Sequence, residues 1–200
     1  MSELLKPIYA LSATAIVLAA ILLIGVAKHV VTLQSGQELI IPARGYDPRA
    51  ILLGHYVRFQ PEASATFEGE QAESIFIAFA EDRERLQVAE GWLTFELEDD
   101  EWVIVDASVD RPPEATKDKI FLQTRIEFSP VRQNEELISL QVWPMLEIDR
   151  YYANQAEALD IEQRLRDREE VQVILSVNAS GKPMLKGLVV DGERHVVGWW

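Results

Sequence analysis

The chain has 200 residues, 33 acidic and 19 basic, for a formal charge of −14, and it contains no cysteine. A surface of that sign repels phosphate backbones, which argues against nucleic-acid partners, and the missing thiols exclude disulfides, thiol catalysis and cysteine-ligated metals. With 48% hydrophobic residues and only 9 Pro and 10 Gly, the chain can fold around a core of its own rather than remain disordered.

The first element is Ile8 to Ala27, which carries no charge and is flanked by Lys6 on one side and Lys28 and His29 on the other. As a helix it is about 30 Å long, the thickness of bilayer hydrocarbon. The expectation is a short N-terminus and membrane helix within residues 1–29, touching lipid over residues 8–27, followed by one domain over residues 30–200. A cleaved secretory signal is the competing reading, because Gly25-Val26-Ala27 offers small residues to a signal peptidase. Signal apolar regions run about 7–15 residues, however, and this one is longer. A short cytoplasmic head with the domain outside is the commoner arrangement, so the expected location is the cell membrane, single-pass, with the C-terminal domain extracytoplasmic.

Beyond the span, Val30 to Ile41 reads as a first strand, broken by Gly36 and ended by Pro42. Asp47-Pro48 then sets a turn, Ala50 to Leu53 form an apolar patch, and Gly54 precedes a strand over His55 to Gln60. In that strand Tyr56 and Arg58 face one way, Val57 and Phe59 the other. Residues 62–73 read as a polar loop and Ile75 to Ala80 as a strand. Gly91 to Leu97 and Trp102 to Val105 flank Glu98-Asp99-Asp100-Glu101, which is a hairpin signal.

Ile120 to Phe128 alternates strictly, as a strand with one buried face does. Glu136 to Trp143 and Met145 to Ile148 continue the sheet, with Pro144 marking a bulge or an edge. Asn154, with Glu157 three residues on, is a capping box for a helix that carries Ala158, Ile161 and Leu165 on one stripe. Val171, Val173, Leu175 and Val177 alternate into a turn at Ala179 to Lys182, and Met184 to Val190 returns. About ten strands and one helix outside the span, without βαβ spacing, define a mainly β protein. The expected domain is a single antiparallel β-barrel or β-sandwich with one amphipathic helix.

The residues Asp47-Pro-Arg-x-x-Leu-x-Gly54-His-Tyr-Val-Arg-Phe resemble the signature of the GDYXXLXY family. Arg150-Tyr151-Tyr152-Ala153-Asn154-Gln155 is similar to the family's aromatic pair before a short helix, and Gly181 to Leu188 with Asp191-Gly192 is similar to its closing hairpin. The resemblance implies an N-terminal membrane helix and the order of the elements, but no activity. His55 stands where the motif has Asp, Phe59 where it has Leu, Pro61 where it has its second Tyr, and Gln155 where a Glu is expected. An activity resting on those acidic positions would be lost or altered here.

No G-x-S-x-G turn and no S-x-x-K helix turn is present. The catalytic candidates are therefore Asp47 and His55, the pair an envelope hydrolase would use with an acid near Gln155 or Glu157. An Asp before Pro is first of all a turn residue or a partner for Arg49. Asp47, Arg49, Tyr56, Arg150 and Tyr152 are the binding candidates, with Tyr152 beside Arg150 able to stack on a small ligand or to sit near headgroups. No metal site and no cofactor is expected, because the acidic run Glu98 to Glu101 lacks the spacing of a calcium loop. Trp199-Trp200 are expected to tuck against the body, lipid or a partner. The reading that follows is a membrane-anchored, extracytoplasmic binding or accessory domain, partner of another membrane or envelope protein. The alternatives are the Asp47/His55 hydrolase and a barrel that carries a lipid or small ligand.

Overall fold

Helix α1 runs from Leu5 to Ser35 in the computed structural model, which describes residues 5–45, 56–80, 86–113, 118–134, 136–166 and 170–196. The helix continues past the expected end of the span and takes up the first residues read as strand. Thr32 Oγ1 donates to the Lys28 carbonyl at 2.9 Å, and Ser35 Oγ to the Val31 carbonyl at 2.7 Å, so both hydroxyls are satisfied inside the helix and need no strand partner. The protein has a helix long and apolar enough to cross a membrane: the most apolar 18 residues within Ala13–Ser35 have a mean hydropathy of 2.4 and lie outside the folded body.

The body is built from two antiparallel sheets. The first takes β1 (Gln37–Gly45), β2 (Tyr56–Pro61), β8 (Arg150–Tyr152), β9 (Val171–Val177), β10 (Pro183–Val190) and β11 (Glu193–Val196), in the order β11-β10-β9-β1-β2-β8. The second takes β3 (Ala65–Glu68), β4 (Val88–Glu98), β5 (Glu101–Ser108), β6 (Lys119–Gln133) and β7 (Glu136–Met145), in the order β3-β7-β6-β4-β5. The expected mainly β, antiparallel body is thus present, and the first sheet curls far enough to bring β8 against β10, which makes it nearly a barrel. β1 continues beyond Pro42, because the proline stays in register opposite Gln172 of β9 and its carbonyl still accepts from the Glu62 amide at 2.7 Å, so only its missing donor is lost at the end of the β1–β2 pairing. Pro144 likewise lies where β7 has outrun its pairing with β3 at Ser139–Val142, and it marks an edge.

Each sheet covers one helix. α3 (Gln155–Arg166) buries Ala158 and Ile161 against β1 and β2, and its start is capped as expected, the Glu157 amide donating to Asn154 Oδ1 at 3.0 Å. α2 (Gly69–Phe79) corrects the reading of Ile75 to Ala80 as a strand. Its buried residues Ala72, Ile75, Phe76 and Phe79 follow helical spacing, with Ile77 turned out to solvent at 49% exposure. Side chains from the two sheets and both helices form one continuous core, including Leu39, Phe59, Phe95, Leu122, Leu140 and Leu175.

The hairpin at Glu98–Glu101 closes through Asp99 and Asp100, whose φ values of 47° and 68° give the left-handed pair that a two-residue turn needs. Trp199 and Trp200 lie outside the described residues.

The junction of α1 with the body is tight. Ser176, fully buried on β9, donates its Oγ hydrogen to the Thr32 carbonyl at 2.9 Å, and the Gly36 amide donates to the same oxygen at 3.1 Å. A Cβ on Gly36 would lie 2.2 Å from Ser176 Oγ and 2.9 Å from the Val177 carbonyl, so only glycine lets the chain turn from helix to strand this close to the sheet. Leu33 and Ile174 are buried here, away from the main core. The apolar helix is therefore fastened to the sheet rather than hung on a linker.

Candidate functional site

β2 and β8 hold most of the described binding candidates. Their register sets Tyr56 opposite Tyr152, Val57 opposite Tyr151 and Arg58 opposite Arg150. Val57, Phe59 and Tyr151 are buried, as the alternation of β2 requires. Arg150 and Tyr152 project outward, Tyr152 with 65% of its surface exposed, and Arg150 Nε lies 3.5 Å from Asp149 Oδ1. Both line a shallow cleft of about 450 Å³ whose opposite wall is Pro183, Met184 and Leu185 of β10. The structure brings these two candidates together on one surface and places Tyr56 on the adjoining strand. Asp47, Arg49 and His55 lie outside the described residues, as does the side chain of Tyr56.

The curled sheet closes at a cluster that sequence spacing did not reveal. Tyr151 Oη on β8 donates to Glu157 Oε1 at 3.1 Å, and His195 Nδ1 on β11 lies 3.4 Å from the same oxygen. β8 and β11 are the two edges of that sheet, so one carboxylate on α3 bridges them. Burial and then the neighbouring Glu157 carboxylate push the Tyr151 phenol up to about 12. Glu157 is thus more than a helix cap, and His195, far from it in sequence, meets it through the fold alone. On the outer side of this sheet Glu38 takes Lys186 Nζ and Arg194 Nη2, each at 2.7 Å. Partial burial raises the Glu38 pKa, but the two cations outweigh it and the net shift is downward.

A larger cleft of about 720 Å³ lies where the chain crosses between the sheets, at the β2–β3 and β7–β8 connections. Its floor comes from β6 and β7, which pair Glu127 with Trp143 and Arg125 with Met145. These four residues share the face opposite buried Ile126, Phe128 and Val142. Arg125 Nη2 is held by Glu147 Oε1 at 2.7 Å, and across the mouth Arg44 Nε meets Glu62 Oε1 at 3.0 Å. Glu147 also lines the smaller cleft, so the two form one trough. The alternation of β6 and β7 was visible in the sequence, but their register was not, and register is what sets Glu127 against Trp143.

Among the described residues, no three histidine or carboxylate side chains are grouped so as to hold a metal ion. The concave side of the curled sheet is filled by side chains such as Leu39, Val57, Leu175, Leu188 and Ile161. Fold and surface together define a mainly β domain carried on an apolar helix of membrane-spanning length, with a solvent-open trough beside the closing seam of its curled sheet. The chain belongs to the GDYXXLXY protein family, whose match covers residues 18–188. No curated protein and no solved structure matches it.

Proposed function

We propose that this protein is a membrane-anchored binding domain that faces the extracytoplasmic side and acts as accessory to another membrane or envelope protein. The observation that carries the reading is α1: its apolar side chains from Ile16 to Val26, among them Leu22, Leu23 and Ile24 at 70%, 69% and 68% exposure, are left uncovered by the described residues. At about 1.5 Å per residue, the 23 residues Ala13–Ser35 reach about 35 Å, enough for the hydrocarbon layer. The helix is also rooted in the sheet through Thr32, Gly36 and Ser176, which would hold the body at a fixed height and tilt beside the bilayer. A binding surface on such a body meets partners in the same membrane. The trough beside Arg150 and Tyr152 is the surface proposed.

The test has two stages. Carbonate-washed membranes should retain the chain, and protease added to intact cells after removal of any outer barrier should degrade the body. A photo-crosslinking residue at Tyr152 should then capture a membrane or envelope protein. Recovery of the chain in the carbonate supernatant would overturn the anchor, and protection of the body in intact cells would overturn its orientation.

A further inference from the structure

The floor of the larger cleft combines an aromatic ring with a carboxylate that no cation among the described residues neutralises. Trp143 on β7 stands directly opposite Glu127 on β6, so their Cβ atoms are about 5 Å apart. Of the charged groups around them, Arg125 is consumed by Glu147 and Glu62 is consumed by Arg44. Glu127 is exposed and enters no ion pair among the described residues. Elsewhere the chain covers its own rings with arginine: Arg111 sits 5.7 Å from the Trp92 ring centre and Arg132 sits 5.0 Å from that of Phe76. Among the described residues no cation of the chain covers Trp143.

An indole beside an uncompensated carboxylate attracts an organic cation twice, through the ring's quadrupole and through charge. The cleft's net negative lining and the overall charge of −14 disfavour an anionic ligand. Next to this pair the walls are apolar, from Pro61, Pro144 and Leu146, which suits the methylene stem of a long basic side chain. The smaller cleft adjoins it at Glu147 and adds Met184 and Leu185, so the two together offer contacts to more than one side chain, as an extended polypeptide presents. We propose that Trp143 and Glu127 form a subsite for a lysine or arginine side chain on an extended segment of the partner protein. The inference rests on the proposed binding role and names the chemistry of the partner.

The probes are two blocked peptides, acetyl-Leu-Arg-Leu-amide and acetyl-Leu-Gln-Leu-amide, titrated against the full chain in detergent micelles. The chain carries 5-fluorotryptophan, and the Trp143 fluorine resonance is assigned with a Trp143→Phe variant. The arginine peptide should shift that resonance, and the glutamine peptide should bind about tenfold more weakly. Glu127→Gln should weaken the arginine peptide about five- to tenfold, whereas Glu98→Gln, the same charge change at the exposed β4–β5 turn, should weaken it less than about twofold. Circular dichroism confirms that both variants fold. Equal losses in the two variants, equal binding of the two peptides, or an equal response to phosphocholine would overturn the subsite.

In membranes, a photo-crosslinker at Met145 should give an adduct that Glu127→Gln removes and Glu98→Gln keeps. An adduct that survives Glu127→Gln sinks the cation subsite and leaves the binding role standing. The absence of any adduct from Met145 and Tyr152 sinks the binding role itself.

Discussion

Replacing Tyr151 by Phe tests the closure of the curled sheet, because the phenol is the part of the seam whose ionisation the fold controls. At neutral pH the wild-type hydroxyl donates to Glu157 Oε1 at 3.1 Å from a side chain with only 3% of its surface exposed. Losing a buried hydrogen bond to a charged acceptor costs about 1–3 kcal/mol, and Asn154 Nδ2, 3.2 Å from the other Glu157 oxygen, keeps that carboxylate partly satisfied. The Tyr151→Phe variant should therefore be less stable by about 1–2 kcal/mol at pH 7. Alkali reverses the order. The folded-state pKa is raised to about 12 from an ordinary 10, so the folded chain keeps a proton that the unfolded chain has already lost. Stability from this group is complete below pH 10 and drains away as the pH climbs towards 12, by about 2–3 kcal/mol over the two units. The variant has no such loss, so the two stability curves should cross between pH 10 and 12. Denaturant titrations of both proteins at half-unit pH steps from 7 to 12, read by near-ultraviolet circular dichroism, measure the difference directly and cancel every other titrating group. Parallel curves across that range would show that the phenol does not hold its proton through the seam, and the account of Glu157 as the bridge would fail.

Other perturbations probe separate joints. Gly36→Ala should destabilise the body by about 1–3 kcal/mol because the new methyl meets Ser176 Oγ, and pairing it with Ser176→Ala should recover part of the loss in a double-mutant thermal cycle. Gly181→Ala should cost more than about 1 kcal/mol, since the residue has φ +76° and its Cβ would lie 2.3 Å from the Trp92 ring; the near-ultraviolet signal of tryptophan should change with it. Glu38→Gln should flatten the acid limb of the stability curve: the carboxyl is held below its ordinary 4.5 by Lys186 and Arg194, so its contribution is complete above that value and is lost as the pH falls through the lowered one. Asn154→Ala should fray α3 and lower the midpoint of urea unfolding, by about 1 kcal/mol.

How far the fold could be read from residues depends on the range of the interactions that set it. The span declared itself through its length, the Glu98 to Glu101 turn through its flanking strands, β6 through its alternation and α3 through Asn154 and Glu157, each a signal carried by one unbroken stretch of chain. Helix α2 was missed because its first turn is polar. Ile75 to Ala80 taken alone is a short apolar run, which periodicity cannot assign to helix or strand, and only the addition of Ala72 shows the helical spacing. The site was harder still. Arg150 and Tyr152 could be named from the residues, but the contact of Glu157 with His195 depends on how far a six-stranded sheet curls. The pairing of Glu127 with Trp143 depends on a strand register that shifts at Val131 and Arg132, and neither leaves a local mark.

The position of the trough follows from the chain's path. The chain leaves the curled sheet at Pro61 to build the second sheet and returns to it at Arg150, so both crossings lie together at one corner of the body. Short crossings such as Glu62 to Ser64 cannot lift the two sheets far apart, and the gap they bridge is the larger cleft. The return crossing runs directly into β8, the edge strand of the seam, which is why the two clefts share Glu147. A ligand in this trough would touch β6 and β7 of one sheet and β8 and β10 of the other at once. The junction that fastens α1 to the body involves β9 and β10 of that same curled sheet. The wall of the smaller cleft and the seat of the apolar helix thus lie on neighbouring strands: the first residues of β10 line the cleft, and Ser176 of β9 holds the Thr32 carbonyl. A partner gripping the trough would pull on the element to which the helix is tied, and no flexible linker intervenes to absorb the pull.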